Sequence, residues 1–239
     1  MFSRASIEVG GIYHIVNRGV DKRKIFMKEQ DYARFVLGLH FFNDSDPRYD
    51  IWTSFKSNKQ QTLAILGSSD DPRIADDRNL LVNLLAFALM PNHFHLIIQE
   101  ITDGGTSTFM KKMAGYSRYF NQQYDRRGTL FQGRYKAVPI QDDIQLGNAF
   151  VYVHTNPVEL KEPEWKDLKV KNAQNALNWL ETYRWSSYHD YKGKPSFPTV
   201  TQRDFFLDFY GGEQGCRQAV EDWVVFKAEN AKLGPEIIE

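Results

Sequence analysis

His93 and His95 stand one residue apart in the apolar run Met90-Pro91-Asn92-His93-Phe94-His95-Leu96-Ile97-Ile98. Side chains on an extended strand alternate between faces, so the two imidazoles share a face, with Cα atoms roughly 6.5 Å apart. That is chelating distance. Two imidazoles side by side make half of a metal site, and the remaining ligand must come from elsewhere in the chain. Tyr152 and Asn156, four residues apart, project from one face of a helix. An extended reading of Phe150 to Thr155 would leave them on one face as well. A phenol and an amide oxygen brought to a histidine pair suit nucleophilic attack on phosphorus. A cation would withdraw charge from a non-bridging phosphodiester oxygen while a phenolate attacks in line. A free phenol ionises only at a pH of about 10, so the cation and basic neighbours must assist.

Several elements have to bring these groups together. Gly11 to Gly19 alternates partly and is rich in β-branched and aromatic residues, which predicts a first strand. Apolar groups at helical spacing from Asp31 predict a helix, stopped by Asn43, Asp44, Ser45, Asp46 and Pro47. A strand over about 81–89, a turn at Met90-Pro91-Asn92 and a strand over 93–99 form a hairpin. Phe109, Met113, Tyr116 and Phe120 predict one long helix from about Ser107 to Tyr124, and Arg134 to Ile140 a fourth strand. The order strand, helix, strand, strand, helix, strand is the split βαβ pattern. The fold class is therefore α+β, a ferredoxin-like core with an antiparallel sheet and helices on one face. A helix over 142–156 follows, opened by an Asp142-x-x-Gln145 capping box and closed at Pro157. We expect a domain over 1–160, interrupted by a polar insertion at 43–79, and a helical C-terminal extension over 161–239.

The composition is that of a soluble globule with a real core. The apolar run from Leu80 to Met90 is too short to span a membrane, which needs about 20 residues. The single Cys216 forms no internal disulfide and the N-terminus carries no export signal, so the cytoplasm is the expected location. Formal net charge is zero, which argues against a uniformly basic nucleic-acid binder. The distribution matters more. Lys111, Lys112, Arg118, Arg126, Arg127, Arg134 and Lys136 face only Asp125 between 111 and 136, whereas acids outnumber bases beyond Thr201. Such a local field attracts phosphate, although a solvated helix face would give the same pattern.

Rival residues exist for each role. Tyr116, Tyr119 and Tyr124 also follow the histidine pair among basic residues, but their spacing reads as an amphipathic helix. His14, His40, His154 and His189 have no partner at ligand spacing and read as packing or surface groups. Trp185 and Tyr188 read as anchors of the C-terminal region, and Cys216 as a small apolar side chain.

MPNHFHLII, YSRYFNQQYDRRGTLFQGRYKAV, YVHTNPVEL and YRWSSY together resemble the REP-associated tyrosine transposases, single-tyrosine members of the HUH superfamily. The opening YHIVNRGVDKRKIF is similar to that family's N-terminal segment. The resemblance runs from about Tyr13 to Tyr191, and the stretch 43–79 and the acidic tail depart from it. It implies that His93 and His95 are the HUH metal ligands, that Asn156 completes a divalent-metal site, and that Tyr152 is the nucleophile. The implied reaction cleaves single-stranded DNA, leaving a 5′-phosphotyrosine and a free 3′-hydroxyl that can later reverse the step. The implied substrates are short hairpins with a recognition sequence beside the stem. The resemblance implies a monomer or a homodimer.

The donor set suits Mg²⁺ or Mn²⁺, though imidazoles alone would also accept zinc. Arg18, Lys22, Arg23, Arg126, Arg127, Arg134 and Lys136 are candidate DNA contacts, with nearby aromatic rings available for unpaired bases. The alternatives are a catalytically silent nucleic-acid-binding regulator of the same fold, and a metal hydrolase in which water attacks.

Overall fold

The structure, a computed structural model, describes residues 7–46, 78–165 and 170–233. Four strands form one antiparallel sheet: β1 (Ile12–Arg18), β2 (Val82–Met90), β3 (His93–Glu100) and β4 (Lys136–Ile140), in the order β2-β3-β1-β4. This is the strand arrangement of the split βαβ core, and the hairpin turns on Pro91 and Asn92 between the paired residues Met90 and His93. Most of the polar stretch 43–79 lies outside the described residues. Asn43, fully buried at its start, donates to the Val82 carbonyl and accepts from the Leu81 and Val82 amides. One side chain thus ends a helix and fixes the start of β2.

The strand faces explain the layers. Leu84, Phe87 and Leu89 of β2, with Phe94, Leu96 and Ile98 of β3 and Tyr13 and Ile15 of β1, point to one face. There they meet α1 (Glu29–Phe41), α2 (Gly105–Met113) and α3 (Gly115–Gln123). The expected single helix over 107–124 is therefore a correction: it breaks at Ala114, where the Ser117 amide reaches back three residues to the Ala114 carbonyl instead of four to Met113. Asp31 ties this layer together. Its buried carboxylate accepts from the Met27 and Lys28 amides and from the hydroxyls of Tyr119 and Tyr124.

The core's own helices lie on one face, and the second face is filled from further along the chain. Leu85, Ala86, Ala88 and Ile97 of the sheet pack with α4 (Asp143–Thr155) and α5 (Ala173–Thr182). Residues of α6 (Tyr188–Tyr191), α7 (Asp204–Tyr210) and α8 (Glu213–Leu233) complete that core, with Cys216 buried among them. Trp185 to Ser187 runs along the outer side of β2. The Leu89 amide donates to the Trp185 carbonyl and the Ser187 amide to the Phe87 carbonyl. Trp185 stacks on Tyr32 at 5.0 Å, so this segment clamps the C-terminal region to both layers. Among the described residues no helix is long and apolar enough to cross a membrane.

Candidate active site

Alternation along β3 sends Phe94, Leu96 and Ile98 into the first core and leaves His93, His95 and Ile97 on the opposite face. The two imidazoles are nearly enclosed, at 3% and 4% exposure, with ring centroids 4.9 Å apart and planes close to perpendicular. The tight turn before them also takes part. Asn92 Oδ1 lies 2.6 Å from His93 Nδ1, while Asn92 Nδ2 donates to the Lys22 carbonyl at 3.3 Å.

Helix α4 supplies the second half of the site. Asp142 caps it by accepting from the Gln145 amide at 2.7 Å, and Gln145 accepts in turn from the Gln141 amide. Phe150, Val153 and His154 bury against β2 and the C-terminal helices, and His154 Nε2 lies 2.8 Å from Ser187 Oγ. Burial pushes the His154 pKa down to about 3, so it is a neutral packing group. The same anchoring turns Tyr152 toward the histidines. Its ring meets His95 edge-on, with centroids 5.4 Å apart and planes at 89°.

Asn156 comes one turn later, where the helix tightens into a 3-10 turn over Asn156–Leu160 that carries Pro157 in its first turn. Its amide donates to the Tyr152 carbonyl, so helical spacing places both side chains on one face. The Asn156 carboxamide is fully buried, and neither its Oδ1 nor its Nδ2 has a hydrogen-bond partner among the described residues. Leaving such a group unsatisfied costs about 1–3 kcal/mol, which an amide oxygen offered to a cation would recover. No group of three or more His, Cys, Asp or Glu among the described residues forms a metal cluster. A site here would therefore need the amide oxygen, and two imidazoles plus an amide oxygen fit a divalent cation whose other positions are filled by water or phosphate.

His14 is the residue that spacing missed. With no partner at ligand spacing it reads as a packing or surface group, yet it sits on β1 opposite Ile97, with its Nε2 2.9 Å from His95 Nδ1 and the two rings stacked at 5.0 Å. It also meets Tyr152 edge-on at 5.9 Å. Burial pushes its pKa down to about 4, so at neutral pH it is an uncharged neighbour. The parity of β1 was readable from its sequence. Its register against β3 was not. Asn92 was read only as a turn residue, and nothing in the linear pattern marks its bond to His93.

The rival tyrosines lie on the other side of the sheet. The Tyr116 hydroxyl donates to the Ile25 carbonyl at 2.6 Å, and those of Tyr119 and Tyr124 donate to Asp31. Burial, followed by Asp31 through its charge at Tyr116 and through hydrogen bonds and charge at Tyr119 and Tyr124, pushes all three phenols well above their ordinary range. They are structural.

Residues 74–156 match the family model of the IS200-like transposases. The matched segment is about a third of the chain. It contains the histidine pair, Tyr152 and, as its last residue, Asn156. Among curated proteins none matches the chain. A solved structure of a REP-associated tyrosine transposase bound to a REP hairpin aligns over 82% of this chain and 89% of its own, at 14% identity and a TM-score of 0.41.

The basic residues of the matched segment and its flanks divide by position. Arg18 pairs with His93 across β1 and β3, so it shares the face of the histidines. Lys136 pairs with Val16 and lies exposed on that face beside Val138, which is 53% exposed. Helix α4 packs over β2 and β3, and on the β1–β4 side of the face Lys136 and Val138 stay exposed. Lys22, Arg23 and Arg134 gather at the same end of the sheet. There the Gly19 amide bonds Asn92, the Gln132 amide bonds Arg18, and Asn17 reaches Gly133. Arg126 is otherwise engaged, its guanidinium donating to Asn121 Oδ1 and the Thr129 carbonyl to close a loop. Arg127 is exposed near that loop.

A cavity of about 720 Å³ opens between α2–α3 and residues 128–135. Its floor contains Phe35 and Phe94, so it belongs to the face opposite the histidines and is separate from Tyr152.

Proposed function

We propose that this protein is a transposase that cuts and rejoins single-stranded DNA with Tyr152 as nucleophile, on hairpin substrates. The observation that carries the reading is the approach of the Tyr152 ring to His95 of the buried histidine pair, with the buried, unsatisfied Asn156 carboxamide one turn away. The sequence resemblance to REP-associated tyrosine transposases supports the hairpin as substrate, and the IS200-like match covers all four residues.

His93, His95 and Asn156 would hold Mg²⁺ or Mn²⁺. When bound, such an ion polarises a non-bridging oxygen of the scissile phosphate and offsets charge in the transition state. The Tyr152 oxygen attacks phosphorus in line, the bond to the 3′-oxygen breaks, and that oxygen leaves with a proton as a 3′-hydroxyl. The 5′-phosphate stays on Tyr152 until a 3′-hydroxyl attacks it and releases the phenol. One phosphodiester-type bond replaces another at each step, so no nucleotide cofactor is required. Arg18 and Lys136 would flank the path on the β1–β4 side of the sheet, and Lys22, Arg23 and Arg134 extend the positive field to its end.

The test is incubation of the full chain with labelled hairpin DNA carrying a single-stranded extension, in the presence of Mn²⁺. A covalent protein–DNA adduct should form and vanish in Tyr152→Phe. Cleavage that persists in Tyr152→Phe would transfer the attack to water and sink the tyrosine mechanism. Binding without any cleavage would favour a regulator that keeps the fold.

A further inference from the structure

We infer that Asn92 and His14 are positioning residues that set the ring tautomers of His93 and His95, and so decide whether both imidazoles offer a bare Nε2 to a cation. The inference rests on the metal-assisted reading above.

The case for His93 follows from the Asn92 amide. Asn92 Nδ2 donates to the Lys22 carbonyl, so the atom that faces His93 Nδ1 at 2.6 Å is the oxygen. An amide oxygen only accepts. The ring proton of neutral His93 therefore sits on Nδ1, and Nε2 carries the lone pair. The backbone behind Asn92 is itself unusual. Asp21 and Lys22 both occupy the left-handed region, at φ of 54° and 58°, a conformation that costs non-glycine residues free energy and persists only where surrounding contacts hold it. That twisted turn presents the carbonyl that orients Asn92.

His95 is set by a second route. His14 Nε2 and His95 Nδ1 are 2.9 Å apart and share one proton. With the proton on His95 Nδ1, its Nε2 is bare and His14 accepts. With the proton on His14 Nε2, His95 must be protonated at its own Nε2 and has no lone pair to give. A cation selects the first arrangement, and His14 is then the acceptor that stabilises it. Partners of this kind on the second ring nitrogen raise ligand basicity and fix ring orientation.

Two measurements test this on the DNA-free full chain near neutral pH. Ring-nitrogen NMR of the metal-free protein should find His93 protonated at Nδ1. Mn²⁺ titration followed by the EPR signal of the free ion should give affinities about 10–100-fold weaker for Asn92→Leu and His14→Leu. Asn92→Asp and His14→Gln, which keep an acceptor oxygen in place, should stay within several-fold of the wild type. A His93 ring protonated at Nε2, or leucine variants that bind Mn²⁺ like the wild type, would overturn the inference. Failure of the wild type to bind Mn²⁺ would instead overturn the metal reading, while the ring spectra still decide the tautomers.

Discussion

The edge of the Tyr152 ring lies against His95 with centroids 5.4 Å apart, although one side chain belongs to a helix and the other to the central sheet. The contact is held from behind by Phe150, Val153 and His154, all fully buried. The proposed nucleophile so placed depends on packing that has no chemical role of its own, which separates stability from activity in several variants.

Asn156 gives the sharpest separation. Its carboxamide is fully buried and unsatisfied, so Asn156→Leu, similar in volume, should leave stability unchanged or raise it by about 1–3 kcal/mol. Adduct formation in Mn²⁺ should fall at least about tenfold. Urea unfolding and the adduct assay measure the two effects, and a less stable but fully active variant would contradict the assigned role.

Tyr119 and Tyr124 should behave in the opposite way. Replacing either by Phe removes one hydrogen bond to the buried Asp31 carboxylate and should cost about 1–2 kcal/mol of unfolding free energy. The yield of covalent adduct at saturating DNA should match the wild type, because these hydroxyls lie beyond the sheet from the histidines.

Charge removal should divide the basic residues in two. Lys136→Ala should weaken single-stranded DNA binding and reduce the slope of log affinity against log salt by about 1, as expected for one lost phosphate contact. Arg126→Ala should mainly loosen the 121–129 loop, since its guanidinium is bonded to Asn121 and Thr129. Fluorescence anisotropy across a salt series, with proteolysis of the free protein alongside, distinguishes these outcomes.

Asp190 should impose a pH dependence on stability. Burial pushes its pKa up to about 6 from 3.8, although the Ser196 and Phe197 amides and Arg203 pull it back in part. Both amides bond Oδ1, and Oδ2 has no hydrogen-bond partner among the described residues. Between those two pKa values the folded state binds the extra proton, so the protonated carboxyl stabilises the fold at low pH. That contribution fades as pH rises through about 6, on the order of 3 kcal/mol in total. Asp190→Asn keeps an oxygen for the two amides and should gain stability relative to the wild type between about pH 4 and pH 7. Other titrating groups cancel in the difference between the two proteins. A constant difference in denaturant midpoint across that range would refute the assignment.

The hairpin, the four strands and the helix bearing Tyr152 were legible because period-two and helical spacing survive in a single sequence. Met90-Pro91-Asn92 between two apolar runs fixed the turn, and Asp142 with Gln145 fixed the helix start. The shared face of His93 and His95 followed from parity alone. Their meeting with Tyr152 needed a packing direction, which the resemblance supplied and periodicity did not. The break at Ala114 was hidden because Phe109 to Phe120 keeps its apolar spacing across the change in hydrogen bonding. His14 and Asn92 were hidden for a different reason: a hydrogen bond between distant positions depends on register and on amide orientation, and neither leaves a trace in local pattern.

Trp185 to Ser187 lies hydrogen-bonded along the outer side of β2. The opposite rim is β4, five residues long and interrupted by Pro139, which has no amide hydrogen to donate. Among the described residues, neither border of the sheet therefore presents a long unpaired ladder to a neighbouring molecule. Growth by strand addition, the usual route from exposed rims to fibrils, is disfavoured at both rims.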